Sequence, residues 1–101
     1  MPTPESKVKA RVRRILEINK VYYFIPATGG YGRSGVPDII GCLDGQFFAI
    51  ECKANGRRTT ALQDKELAYI RQAGGKTFVI DETNEKDIQA WIDLMTVPEK
   101  G

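Results

Sequence analysis

The chain reads as an α/β protein built on a central mixed sheet flanked by helices. Three observations predict this. Helical apolar stripes alternate along the chain with short runs rich in β-branched and aromatic residues. An Asp44-Gly45 pair lies between two apolar runs, which is the strongest short-range signal for a hairpin. The resulting order, α-β-β-β-α-β-α, suggests a mixed sheet with helices packed against it.

Each element follows from local chemistry. The first helix is expected over about residues 4–19, with Thr3 as N-cap and Pro4 at the first helical position. Val8, Val12, Ile15 and Leu16 form its apolar stripe. Val21-Tyr-Tyr-Phe-Ile25 reads as a strand that Pro26 ends. Residues 27–35 contain four glycines and one arginine, the composition of a mobile loop. Runs 36–43 and 46–53 form the two arms of the hairpin, and residues 54–59 form a basic loop. Thr60 and Gln63 are spaced as a capping box that opens a helix to about Ala73, which Gly74-Gly75 stops. Residues 76–80 read as a strand, and residues 84–95 as a last helix with Ile88, Trp91, Ile92 and Met95 on one face.

With 101 residues, 42% hydrophobic and 28% charged, the chain suits a single globular domain over 1–101 with a small core. No apolar run approaches the roughly 20 residues that span a bilayer, and no signal-peptide core follows the N-terminal charges. A cytoplasmic location is therefore expected, with no membrane partner. Cys42 and Cys52 are too few for a disulfide framework and read as reduced thiols packed in strands. The absence of histidine excludes Ser-His-Asp and Cys-His chemistry and histidine-based zinc sites. Hydrolysis would have to rest on carboxylates, lysine and a metal ion.

Net charge is only +2, but residues 1–60 carry +5 and residues 61–101 carry −3. Lys7, Lys9, Arg11, Arg13 and Arg14 cluster, as do Arg57 and Arg58. Such clusters suit a phosphate backbone, and equally suit a solvated helix face and loop.

The hairpin gives a register. A two-residue Asp44-Gly45 turn sets Leu43 opposite Gln46, so paired residue numbers add to 89, which Asp38 and Glu51 satisfy. The two carboxylates then face each other on one side of the sheet, and Lys53 shares that side two residues on. Like charges in that position are destabilising unless a cation neutralises them. Oxygen donors suit Mg2+ or Mn2+, and the Cys52 carbonyl is a further candidate ligand. Glu5 falls within the Val8–Val12–Leu16 stripe of the first helix, about 20° from Val12 on a helical wheel. It reaches toward the acid pair, or else simply favours the helix N-terminus. Gln63 either contacts the site or serves the capping box.

Gly35-Val36-Pro37-Asp38, twelve residues, then Glu51-Cys52-Lys53 resembles the PD-(D/E)xK nuclease superfamily. The acidic first helix, the basic loop and the helix bearing Gln63 resemble its VRR-NUC family in the short stand-alone form, similar to Holliday-junction resolvases. The resemblance implies a restriction-endonuclease-like fold and hydrolysis of DNA phosphodiesters with Mg2+ or Mn2+, leaving 5′-phosphate ends. Asp38, Glu51 and Glu5 become metal ligands, Lys53 the catalytic lysine that orients the attacking water, and Gln63 a helper. Lys9, Arg13, Arg33, Arg57 and Arg58 would hold flanking phosphates. The resemblance also implies a homodimer acting on branched or junction DNA, with no organic cofactor. Trp91, Met95 and Tyr22/Tyr23 are candidate dimer contacts, or else they fill the core. A non-catalytic DNA-binding module and a sequence-specific restriction endonuclease are the competing readings. A structural interaction domain is a third.

Overall fold

A computed structural model describes residues 2–27 and 32–97. Helix α1 (Pro4–Ile18) starts at Thr3, whose side-chain oxygen accepts the Ser6 N–H at 3.1 Å. Strands β1 (Tyr22–Phe24), β2 (Ile39–Leu43) and β3 (Gln46–Cys52) follow, then α2 (Ala61–Gln72), β4 (Lys76–Ile80) and α3 (Lys86–Met95). The four strands form one sheet in the order β1-β2-β3-β4. The first three pair antiparallel, and β4 joins β3 in parallel through the α2 crossover. This mixed sheet with flanking helices is the expected class and is consistent with a restriction-endonuclease-like fold. Among the described residues no helix is long and apolar enough to cross a membrane.

Period-two alternation divides β3 between the two faces of the sheet. Phe48, Ile50 and Cys52 join Val8, Val12 and Leu16 of α1 and Ile88 and Ile92 of α3 in the buried core. Trp91 stacks edge-on against Phe48 and Phe78, with ring centroids 5.4 and 5.3 Å away. Trp91 therefore packs against this core and stays partly exposed. Tyr23 also packs against the core, whereas Tyr22 is 68% exposed. Cys52 is buried, but Cys42 is exposed. Packing of both thiols is thus corrected. Cys42 lies across from Tyr22 and Phe47, both exposed. Helix α2 packs mainly against β4 and leaves Cys42 uncovered, with Phe47 at the rim of a cleft that Tyr69 and Ile70 of α2 also line.

The hairpin register is the expected one, from Leu43 opposite Gln46 to Ile39 opposite Ile50. Asp44 and Gly45 carry φ of 52° and 82°. Both central positions are left-handed, as a type I′ turn requires. The expected glycine-rich loop lies partly outside the described residues, at positions 28–31.

Candidate active site

The end of the hairpin remote from its turn carries the acids. Asp38 immediately precedes β2, and its Oδ2 accepts the backbone N–H of Cys52 at 2.8 Å. The ladder itself ends with Ile39 opposite Ile50, and Asp38, one residue on, lies close enough to Glu51 for its charge to act on that carboxyl. Glu51 is only 3% exposed. Its Oε2 accepts from Gln63 Nε2 at 3.1 Å and lies 3.6 Å from Lys53 Nζ. Burial, then the nearby Asp38 charge, pushes the Glu51 carboxyl up to about 8 against a partial offset from Lys53. Burial likewise pushes the Cys52 thiol up to about 12, so the sulfur stays protonated and inert.

Gln63 performs both of its expected roles. Its backbone N–H donates to Thr60 Oγ1 at 3.2 Å, and its Oε1 accepts the Thr60 N–H at 2.9 Å. Its amide nitrogen remains for Glu51. The N-terminus of α2 thus fixes the acid through a single side chain.

Helix α1 contributes a second half to the cluster. Glu5 Oε1 lies 3.9 Å from Lys53 Nζ, and Lys9 Nζ lies 3.7 Å from Asp38 Oδ1. Glu5 and Lys9 stand one turn apart on the same helix face. The five charges therefore run Asp38, Lys9, Glu5, Lys53, Glu51. Signs alternate everywhere except where Glu51 returns to Asp38. That junction is the one place in the cluster where two carboxyl groups meet without a cationic side chain between them. Among the described residues no group of three or more acidic or thiol side chains is arranged to hold a metal together. Glu5 is turned to Lys53 rather than into a three-acid cage. Two carboxylates alone still suit Mg2+, which keeps several waters and takes one or two carboxylates together with substrate oxygens. The residues present fit such an ion.

The expected phosphate contacts divide. Arg57 and Arg58 are exposed on the loop after β3. Arg57 helps wall a cleft of about 270 Å³ with Thr3, Pro4, Glu5, Ala54 and Asn55, beside the acid–lysine cluster. Arg13 donates to the Tyr23 hydroxyl at 3.2 Å, and Arg33 pairs with Glu66 at 2.8 Å beside the Tyr69 ring. These two are engaged on the protein. The pairing of Lys9 with Asp38 escaped the sequence reading, although its four-residue spacing from Glu5 was a usable signal.

Fold and site together define a mixed α/β protein that gathers two carboxylates and a lysine at one end of a hairpin. No protein-family model matches the chain. It is 32% identical over 85 residues to "Putative nuclease p44" of Acyrthosiphon pisum secondary endosymbiont phage 1. The match covers 83% of this chain and 85% of the phage protein. The chain belongs to the nuclease family of that phage protein.

Proposed function

We propose that the protein is a metal-dependent DNA endonuclease of PD-(D/E)xK type and VRR-NUC kind, with Asp38, Glu51 and Lys53 at its centre. The observation that carries this is the buried Glu51 carboxylate beside Asp38, with the Lys53 ammonium 3.6 Å away. The name of the phage relative supports nucleic acid as the substrate. Asp38 and Glu51, with the Cys52 carbonyl, would hold Mg2+ or Mn2+. Such an ion supplies a nucleophilic water at neutral pH and charge stabilisation at phosphorus. Lys53 would be placed to orient the attacking water and to face the anionic phosphate. Glu5 holds Lys53 from the α1 side, and Gln63 holds Glu51 from α2. Arg57 and Arg58 line the approach as backbone contacts.

Branched DNA cut by a homodimer is the finer reading. The exposed apolar side chains Tyr22 and Phe24 on the edge strand β1 support a second copy there. Cleavage of supercoiled plasmid, flap, splayed-arm and four-way DNA with Mg2+, Mn2+ or EDTA tests the proposal. The expected result is metal-dependent cutting, strongest on four-way DNA, lost with EDTA and in Asp38→Ala and Lys53→Ala. Defined bands on linear DNA would favour a restriction enzyme instead. Failure to cut any DNA, or unchanged turnover in either variant, would overturn the proposal.

A further inference from the structure

We infer that Lys9 is the built-in counter-ion of Asp38, which a divalent cation must displace, so that Lys9 sets how tightly the site holds its metal. The inference rests on the metal-site reading above and goes beyond it.

Asp38 has two carboxylate oxygens with distinct partners. Oδ2 is committed to the Cys52 N–H at 2.8 Å, a bond that belongs to the hairpin itself. Oδ1 is the oxygen left without a backbone partner, and the Lys9 ammonium lies 3.7 Å from it. Lys53 does not duplicate this role, because it lies between Glu51 and Glu5. Two other α1 cations have partners of their own: Arg11 forms a bidentate bond to Glu85, and Arg13 meets Tyr23. The Lys9 side chain keeps 32% of its surface, and its flexible stem lets the head group leave Asp38 without moving the helix.

An ammonium and a divalent cation compete for the same oxygen. Removing the ammonium leaves the acid pair more negative and strengthens its attraction for a cation. The competition also couples metal to substrate. A phosphate that draws Lys9 away from Asp38 vacates Oδ1, so nucleic acid and metal favour each other's binding, reciprocally.

Calorimetric titration of the metal-free full chain with Mn2+ tests this, comparing wild type, Lys9→Met, Lys9→Arg and Asp38→Asn. Lys9→Met keeps the apolar stem and removes the charge. We expect it to bind Mn2+ about tenfold more tightly than wild type, because an opposing unit charge a few ångströms away is gone. Lys9→Arg should bind like wild type, and Asp38→Asn should lose binding. Lys9→Gln provides a second neutral variant with the same expected gain. Equal or weaker Mn2+ binding by both neutral variants, beside a wild type that binds, would overturn the role of Lys9 alone. A wild type that binds no Mn2+ would overturn the metal-site reading and this inference with it.

Discussion

Glu51 is the residue with the least ordinary environment. A carboxylate with 3% exposure is stable only if its lone pairs and charge are met. Gln63 and Lys53 meet one oxygen, but Asp38 adds a like charge. The net effect raises the carboxyl from an ordinary 4.5 to about 8, with burial the larger cause. The neutral form is therefore favoured in the folded chain. Its stabilising contribution is complete below about pH 4.5 and is lost as pH rises through about 8. Without metal, stability should fall across this window by an amount on the order of a few kcal/mol. Glu51→Gln should flatten the slope and raise stability above pH 8. Urea unfolding of EDTA-treated protein at a series of pH values checks both effects, and an unchanged slope in the variant would contradict them. The facing of Asp38 and Glu51 was legible in the sequence because a two-residue turn fixes every later pair. The engagement of Arg13 and Arg33 was not, since their partners Tyr23 and Glu66 are set by packing between elements.

The elements show where local chemistry decides and where it does not. The hairpin, the capping box and β4 carry their signals within a few residues, and all three form as expected. The start of the last helix lay beyond such signals. Asn84 accepts the Asp81 N–H at 2.8 Å and donates to the Val79 carbonyl at 3.0 Å, which ties residues 81–84 into a turn. Side-chain bonds of this kind compete with helix formation, so α3 begins at Lys86 rather than at 84. Likewise β2 begins at Ile39 rather than at 36, after Pro37, which has no N–H for the ladder. Thr60 links element stability to the site. Thr60→Ala should cost about 1 kcal/mol through the lost cap, measurable by thermal or urea unfolding, whereas Thr60→Ser should not. Gly41 shows how closely β1, β2 and β3 meet. A Cβ there would lie 2.3 Å from the Tyr22 carbonyl oxygen and 2.4 Å from Phe48 Cζ. Gly41→Ala should destabilise by roughly 1–3 kcal/mol, read as a lower denaturation midpoint.

At the scale of the molecule, one apolar layer and one charged end divide the work. The α1–sheet–α3 layer buries Val8, Val12, Leu16, Ile39, Phe48 and Ile80 and holds the strands rigid. Leu16→Ala should cost about 2–5 kcal/mol by opening a cavity in that layer. Its effect on cutting should follow only from the fraction unfolded. The charged end gathers residues far apart in sequence, and there the sequence showed the acids and Lys53 but not how Lys9 and Glu5 share them. Helix α1 crosses that end at an angle that only tertiary packing sets. The proposed function requires Asp38 and Glu51 to grip one divalent ion between them. A ligand that binds only the folded state raises stability by about 2.7 kcal/mol at a hundred times its dissociation constant. Thermal unfolding at pH 8 with and without saturating Mn2+ reads this directly. Wild-type Tm should rise clearly, and the rise should be absent in Asp38→Asn and in Glu51→Gln. A wild-type Tm indifferent to Mn2+, or an equal rise in both variants, would contradict the proposed function.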